Sequence, residues 1–406
     1  MMQPTSRPPL RLVVWAMLMP LIWLQAVVGQ RDPFRLITDP DRTLNWRAVE
    51  ADFLTWVDRV EHDYVESVRA GEAVLGCADH SILAGGNTLV VGGGGYQKVQ
   101  DAIDAAPQGT RTVIQINPGT YREKILVPKS KILTFQGIEN PILSWGDTAN
   151  SAGSTQSSAS TTIMADDFIA NGIIFQNTAP APPGGAIGRQ AVAMRIAGDK
   201  GAFYDCKFYG AQDTLYDQEG RHYFKNCYIE GSIDFIFGDG KSIYQVRTLS
   251  NSHDSKVKTS TSGIFIATHP LELCSRCLQN CHLNSIAHPG SGSLTAQKRS
   301  GDEDTGFSFV GCSITGTGPI YLGRAWGPSS RVVFIQCYIS DIILPEGWYD
   351  WGDSSRQKTV LYGQYQCSGP GASESGRVGW SHELTAGQAI AFSSVSFIDG
   401  NQWLHT

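Results

Sequence analysis

Two aspartates in one short stretch of the chain have the residue type and surroundings of catalytic carboxylates. Asp213 follows Gln212 in the run Gly-Ala-Gln-Asp-Thr-Leu, and Asp234 opens the apolar segment Asp-Phe-Ile-Phe-Gly further along the same stretch. A carboxylate that enters an apolar strand is costly to bury unless another group pairs with it or uses it. Two such residues on similar strands suggest an acid and a nucleophile that stacking brings together. We therefore predict an active site here.

The composition of the chain favours a β-rich protein with many turns. The 406 residues include 44 glycines, and 17% are charged, against roughly 25% in an average soluble domain. The formal net charge of −6 offers no basic surface for nucleic acid, so we expect no nucleic-acid partner. The same charge argues against tight electrostatic retention on a polyanion.

The N-terminus has the pattern of a secretory signal peptide. Arg7 precedes an apolar stretch over 10–28, and Gly29 follows it. An uncleaved membrane anchor is the alternative, but the stretch is short for a bilayer span and is interrupted by Pro20 and Gln25. We predict that residues 1–29 are removed and that the protein is secreted, with no stable membrane insertion afterwards.

The rest of the chain divides into a short helical segment and one large domain. Residues 30–90 are predicted to form an N-terminal helical or linker segment, with apolar residues at helical spacing over 42–70. Residues 91–406 form the predicted β domain, which opens with a short amphipathic helix ended by Pro107.

Short β segments recur from about residue 112 onward with glycine or asparagine between them. Each one is too small to bury its inner face alone, which is typical of the rungs of a parallel β-helix. A β-sandwich is the alternative, but its hairpin signals are scarce. The fold class predicted is all-β, a right-handed parallel β-helix with short N-terminal helices. Four cysteines then occupy equivalent buried positions in different rungs: Cys206, Cys227, Cys312 and Cys337.

Five motifs in order resemble the plant pectin methylesterase (pectinesterase) family over about residues 90–405. The motifs are Gly119-Thr-Tyr-Arg-Glu123, Gln190-Ala-Val-Ala-Met-Arg195, Gly210-Ala-Gln-Asp-Thr-Leu215, Asp234-Phe-Ile-Phe-Gly238 and Leu322-Gly-Arg-Ala-Trp326. The resemblance implies an enzyme that removes methyl esters from pectin in the cell wall, without a metal or another cofactor.

The roles implied by the resemblance agree with the requirements of ester hydrolysis. Asp234 is the expected nucleophile, and Arg324 is expected to keep it ionised and oriented. Asp213, close to a second carboxylate, should have a raised pKa and act as general acid and base. Gln190 and Gln212 carry amide donors suited to an oxyanion hole. Taken singly, each residue also has a structural explanation: a surface ion pair for Arg324, a turn cap for Asp213 and polar corner residues for the glutamines.

Aromatic residues near the motifs are suited to stacking on sugars. The resemblance implies that five of them line the substrate cleft: Trp326, Tyr216, Phe237, Tyr321 and Trp348. The chain departs from the commonest family pattern at Asp239, where asparagine is frequent, and at Ala325, where proline is frequent. Asp239 adds an acid near the nucleophile that could raise the pKa of its neighbours.

Residues 246–279 have no rung pattern and read as an anomalous insertion. Joined without them, the flanking sequences give Ser-Ile-Tyr-Gln-Asn-Cys-His-Leu-Asn-Ser, which matches other rungs. We expect the segment to split one strand, and we hypothesise that it is a translated intron. Cys274 and Cys277 inside it, with Cys281 and His282 after it, resemble a metal or redox cluster, a weak signal without a second pair. The resemblance also implies a disulfide between Cys281 and Cys312.

The function predicted is a secreted pectinesterase that acts in the cell wall or apoplast as a monomer. Its substrate would be pectin polysaccharide, and a proteinaceous inhibitor is a possible partner class. A glycoside hydrolase or lyase on the same fold is the first alternative, because two aspartates also suit a glycosidic bond. A pectin-binding module without activity is the second. Glutamine donors beside the aspartates favour the esterase.

Overall fold

The computed structural model describes residues 87–183, 185–245, 281–288 and 292–404. The predicted signal peptide and the predicted helix over 42–70 lie outside these residues. The strands, in chain order, are β1 (Asn87–Val91), β2 (Arg111–Ile116), β3 (Thr120–Arg122), β4 (Ile125–Val127), β5 (Ile132–Gly137), β6 (Ile142–Trp145), β7 (Thr161–Ile163), β8 (Ile169–Asn171), β9 (Ile174–Asn177), β10 (Met194–Ile196), β11 (Gly201–Tyr204), β12 (Lys207–Tyr209), β13 (Leu215–Asp217), β14 (Arg221–Lys225), β15 (Tyr228–Gly231), β16 (Ile236–Gly238), β17 (Lys241–Gln245), β18 (His282–Ile286), β19 (Ser293–Gln297), β20 (Gly306–Val310), β21 (Ser313–Thr317), β22 (Tyr321–Ala325), β23 (Arg331–Ile335), β24 (Tyr338–Ile339), β25 (Trp348–Tyr349), β26 (Leu361–Tyr365) and β27 (His382–Glu383).

The helices are short. The α-helices are α1 (Val99–Ala105), α2 (Ala149–Ala152) and α3 (Ala386–Ile390), and the 3₁₀ helices are Gln156–Ser158, Ser354–Lys358, Pro370–Ala372, Val395–Ile398 and Gly400–Gln402. Helix α1 is the helix predicted before Pro107, and it buries Val99, Ala102 and Ile103. No helix in the described part of the chain is long and apolar enough to cross a membrane.

All three sheets are parallel, and successive strands along the chain visit the sheets in turn. Sheet 1 has the order β1-β2-β5-β8-β11-β14-β17-β20-β23-β26-β27, sheet 2 the order β25-β22-β19-β16-β13-β10-β7-β4, and sheet 3 the order β24-β21-β18-β15-β12-β9-β6-β3. One strand from each sheet makes a rung, and each rung pairs with the rung before and the rung after it. The predicted parallel β-helix is therefore confirmed.

Residues in register on successive rungs stack along the interior. Phe203, Phe224, Tyr244, Phe309 and Phe334 occupy one such column in sheet 1. Their neighbouring rings are nearly parallel, with centroids 4.6–4.8 Å apart. Because every ring is buried, this column is a large part of the apolar core.

A second column follows the corner between sheet 1 and sheet 3. In most of these rungs a residue with positive φ, such as Asp205 (53°) or Asn226 (55°), turns the chain and a cysteine follows. Cys206, Cys227, Cys281, Cys312 and Cys337 are all buried here, and Cys367 is half-buried. The predicted burial of the rung cysteines is thus confirmed. All six are free thiols, so the implied disulfide between Cys281 and Cys312 is not formed.

The anomalous segment 246–279 lies outside the described residues, but its two ends are placed. Gln245 ends β17 in sheet 1, and His282 begins β18 in sheet 3. The expectation that the segment splits a single strand is therefore wrong. The segment enters at the sheet 1 to sheet 3 corner, at the position that Asn226 and Cys227 occupy one rung earlier. The periodicity of the sequence misled us because both flanking strands are apolar and similar.

Candidate active site

Asp213 and Asp234 occupy the same backbone position in consecutive rungs. Each lies at the corner that leads from sheet 3 into sheet 2, just before β13 or β16, and the two strands pair Leu215 with Ile236. Both aspartates have positive φ, 63° and 47°, a conformation that aspartate adopts more readily than most residues. The Asp213 amide donates to the Ile233 carbonyl over 3.0 Å. Stacking thus places the two carboxylates on neighbouring rungs, as predicted.

Asp234 is held by charged and polar partners from two later rungs. Arg324, on β22, donates from Nε to Asp234 Oδ1 over 2.8 Å and from Nη2 to Oδ2. Ser293, at the start of β19, accepts from the Asp234 amide over 3.1 Å and donates to Oδ1. A bidentate guanidinium fixes both the charge and the orientation of a carboxylate. The expected pairing of Asp234 with Arg324 is present.

Asp213 is in a different environment although it is equally buried. Its carboxyl group makes no hydrogen bond to any other residue that the structure describes. Burial first, and the negative charge of Asp234 second, hold the pKa of Asp213 well above its usual range, with Arg324 opposing both. For Arg324, burial alone would lower the pKa, but the charge and hydrogen bond of Asp234 outweigh burial and raise it. The geometry thus favours a neutral Asp213 beside a paired Asp234.

The two glutamines lie on the N-terminal side of this pair. Gln212 precedes Asp213, and its Oε1 is buried without a hydrogen-bond partner among the described residues. The Gln190 side chain is half-buried and also makes no hydrogen bond within that part of the chain. The backbone joins the two positions, because the Ala191 amide donates to the Gln212 carbonyl over 3.0 Å. Both amide groups are therefore free to bind a ligand.

An aromatic row crosses the outer face of sheet 2 beside the carboxylates. Tyr216 stacks on Phe237 with centroids 4.3 Å apart, and Phe237 contacts Trp326 at 6.1 Å. Phe237 is only 4% exposed, so Tyr216 and Trp326 present most of the surface of the row. Burial, and charges that include Asp213 and Asp239, raise the pKa of Tyr216. Tyr216, at one end of this row of Tyr216, Phe237 and Trp326, is therefore close enough to Asp213 and Asp239 for their charges to act on it.

The two remaining predicted sugar contacts, Tyr321 and Trp348, differ in their exposure to solvent. Tyr321 is half-buried and stacks on Tyr349, centroids 5.5 Å apart, near Arg324. Trp348 is only 2% exposed and packs in the core against Tyr362 at 4.3 Å. A side chain this deep cannot stack on a sugar, so the expectation for Trp348 is wrong. The strand alternates, and its neighbour Tyr349 faces outward, in register with Arg324.

Sequence reasoning missed three residues that border the site. Ser293 binds Asp234, Trp351 lies under the Arg324 guanidinium at 4.6 Å from its ring centroid, and Lys298 lies 4.9 Å from the Trp326 ring. Trp351 ends the aromatic-rich run Gly347-Trp-Tyr-Asp-Trp351, so the sequence did contain a signal for it. Ser293 and Lys298 had none, because only the register of β19 brings them to the site.

Comparison with known proteins decides the family. The Pectinesterase family model matches residues 89–285 and 273–401. The chain belongs to the pectinesterase family. A protein named Probable pectinesterase 8 from Arabidopsis thaliana is 45% identical over 322 residues, which are 76% of this chain and 73% of that protein. Pectinesterase QRT1, also from Arabidopsis thaliana, is 43% identical over 327 residues, 77% of each chain.

Solved pectinesterase structures have the same fold. Pectin methylesterase from carrot is 33% identical with a TM-score of 0.65, and the match covers 79% of this chain and 95% of the carrot chain. Pectin methylesterase from Aspergillus niger is 26% identical with a TM-score of 0.62, covering 79% and 96%. As a pectinesterase-family protein, the chain is assigned to the carboxylic ester hydrolases.

Proposed function

We propose that this chain hydrolyses methyl esters of pectic homogalacturonan, releasing methanol and leaving free carboxylates. The observation that carries the proposal is the unequal pair of aspartates: Asp234 is bound by Arg324, and Asp213 is buried beside it with a raised pKa. One ionised and one neutral carboxyl are what an acid and a nucleophile require at the same pH. Family membership supplies the substrate class.

In the first step, an Asp234 oxygen attacks the carbonyl carbon of the ester. The carbon–methoxy bond then breaks, and the departing methoxy oxygen takes the proton of Asp213 to leave as methanol. The acyl group remains on Asp234 as a mixed anhydride. Arg324 limits the rotation of the attacking carboxylate, because it binds both oxygens.

In the second step, the now ionised Asp213 removes a proton from water, which attacks the acyl carbonyl. The bond to Asp234 breaks, the product leaves as a galacturonic acid that gives up its remaining proton to solvent, and both aspartates return to their starting states. In both steps the carbonyl oxygen gains negative charge. The free amide groups of Gln212 and Gln190 are suited to donate to that oxygen, and we assign them this role.

We also propose that the protein is secreted into the plant cell wall as a monomer, after loss of residues 1–29. The plant relatives and the pattern of the N-terminus support this location. A proteinaceous inhibitor is the protein partner that we propose. We propose that Tyr216 and Trp326 contact the sugars, with the buried Phe237 packed between them and Tyr321 beside Arg324.

Substitution of Asp234 by asparagine tests the mechanism. Asp234→Asn keeps the shape of the side chain but removes the nucleophile, so methanol release should fall at least about a thousandfold. Asp341→Asn is the matched control, since Asp341 is exposed and should keep wild-type activity. Thermal unfolding of both variants excludes a folding defect. An Asp234→Asn variant that folds and retains more than a few per cent of the activity would contradict the nucleophile assignment.

A further inference from the structure

Lys298 lies at one end of the aromatic row, in a position set by strand register. It follows Gln297, which pairs with Gly238 on one side and Ala325 on the other. Lys298 is therefore flanked by Asp239 and Trp326 on the neighbouring rungs. Its amide donates to the Gly238 carbonyl over 2.8 Å, and its Nζ lies 4.9 Å from the Trp326 ring centroid. A cation over an indole ring is attracted to the ring face.

The ammonium group of Lys298 makes no ion pair within the part of the chain that the structure describes, although its charge acts on the nearby Asp239 carboxyl. Asp239 is the nearest candidate, but its Oδ1 accepts from Thr305 Oγ1 over 2.6 Å and from Gln297 Nε2 over 3.3 Å. No ion pair joins Asp239 to Lys298. The lysine is exposed, so its N–H donors are available to a ligand that lies on Trp326.

This cation belongs to the same surface as the carboxylate pair. Trp326 contacts Phe237, and Phe237 stacks on Tyr216, which is close enough to Asp213 for their charges to interact. Ala296 pairs with Phe237 on one neighbouring strand and with Arg324 on the other. Because its side chain is small, Trp326 can pack against Phe237. A polymer whose ester lies at Asp234 would therefore place a neighbouring sugar along this row.

We propose that Lys298 binds the free carboxylate of an unesterified galacturonate next to the ester being cleaved. This inference rests on the proposed pectinesterase activity. A methyl ester at that position carries no charge, whereas a carboxylate gains an ion pair with an otherwise unpaired ammonium. The enzyme should thus favour partially de-esterified pectin.

The test compares Lys298→Met with wild type on fully methyl-esterified pectin and on the same pectin after partial alkaline de-esterification. Methionine keeps an unbranched side chain on Trp326 and removes the charge. For each protein, kcat/KM on the partially de-esterified pectin is divided by kcat/KM on the fully esterified pectin. This ratio should be about threefold to fivefold lower in Lys298→Met than in wild type at low salt, and the two proteins should differ less at high salt. Lys298→Arg should keep the ratio. Lys207→Met, on β12 in sheet 3, removes the same charge elsewhere and should also keep it.

A binding measurement separates this inference from the proposed activity. An unesterified galacturonate oligomer should bind more weakly to Lys298→Met than to wild type, by a similar factor, in calorimetry without turnover. Equal ratios and equal oligomer binding in the two proteins would overturn the role of Lys298 while leaving the esterase assignment intact. Absence of methanol release by wild type, with the oligomer still bound through Lys298, would overturn the activity instead.

Discussion

Asp213 and Asp234 share a backbone conformation and a degree of burial, yet their surroundings give them different hydrogen-bond partners. Both lie at equivalent corners with positive φ, and each is about nine-tenths buried. Only Asp234 receives Arg324 and Ser293, because those side chains come from later rungs. The difference between acid and nucleophile is thus produced by the contents of neighbouring rungs rather than by the aspartates themselves.

The raised pKa of Asp213 predicts a specific pH dependence of stability. The folded protein binds the Asp213 proton more tightly than the unfolded chain does. Asp213 therefore makes its full contribution to the free energy of unfolding at pH values below the ordinary carboxyl pKa. That contribution is lost as pH rises through the raised pKa of the folded state. Urea unfolding of wild type and Asp213→Asn over a pH series should show wild type losing stability relative to the variant with rising pH. Parallel curves would contradict the assignment of a neutral Asp213.

Gln190→Ala should separate catalysis from substrate binding. An oxyanion donor interacts with charge that develops in the transition state, so kcat should fall on the order of a hundredfold while KM changes little. Asn284→Ala, on β18 in sheet 3, is a matched amide control away from sheet 2 and should change neither constant. An effect of Gln190→Ala on KM alone would make Gln190 a residue that positions the substrate.

The residue types and motif order were sufficient to predict the aspartate pair and its arginine, because each has a distinctive local sequence. They were insufficient for Trp348, since a motif gives a residue's place along the chain and not the side of the strand that it faces. They also could not predict Ser293 or Lys298. These two reach the site through β19, whose register depends on the length of chain wound into the preceding rung.

At the scale of elements, the corner between sheets 1 and 3 is the place where this fold tolerates inserted residues. Two-residue corners precede Tyr228 and Ser313 and join a sheet 1 strand to a sheet 3 strand. The same join is possible between Gln245 and His282 through Asn280 and Cys281. An insertion at a corner leaves both flanking ladders intact, and β17 and β18 do pair with the rungs on both sides. This explains why residues 246–279 do not abolish the β-helix.

Deletion of residues 246–279 should raise stability and activity. The variant joins Gln245 directly to Asn280 and restores a short corner, so the unfolded chain loses less conformational entropy when this rung forms. The deletion halves the length of this connection about four times, and each halving saves roughly 0.6 kcal/mol, so we expect a gain of about 2–3 kcal/mol in the free energy of unfolding. Melting temperature and methanol release of the two proteins, measured side by side, check this. Equal values would mean that the segment is a tolerated loop, and would remove the structural support for the intron hypothesis.

The repeated β segments allowed the fold class to be predicted, since their apolar residues recur at every rung. The boundary between sheets was harder to predict, because consecutive strands have similar composition and only the positive φ residues at the corners separate them. That is why the insertion was assigned to a strand interior. The conformation of one corner residue, such as Asn226 at 55°, is not encoded in its residue type alone.

At the scale of the whole molecule, the net charge is negative although two cations border the candidate site. The chain carries a formal charge of −6, yet Arg324 and Lys298 lie on the face of sheet 2 that presents the aromatic row. A net negative charge weakens general electrostatic retention of an anionic polymer, so specific contacts such as these select its position. The arrangement suits an enzyme that binds pectin and releases it.

Parallel assays of methanol and of new chain ends from highly methyl-esterified pectin test the central claim most directly. The purified chain is incubated with the polymer, and released methanol, reducing ends and unsaturated ends are quantified in the same samples. We predict methanol in proportion to enzyme concentration and no chain ends above the background without enzyme. New reducing or unsaturated ends without methanol would contradict the esterase assignment and make the aspartate pair the centre of a glycoside hydrolase or lyase.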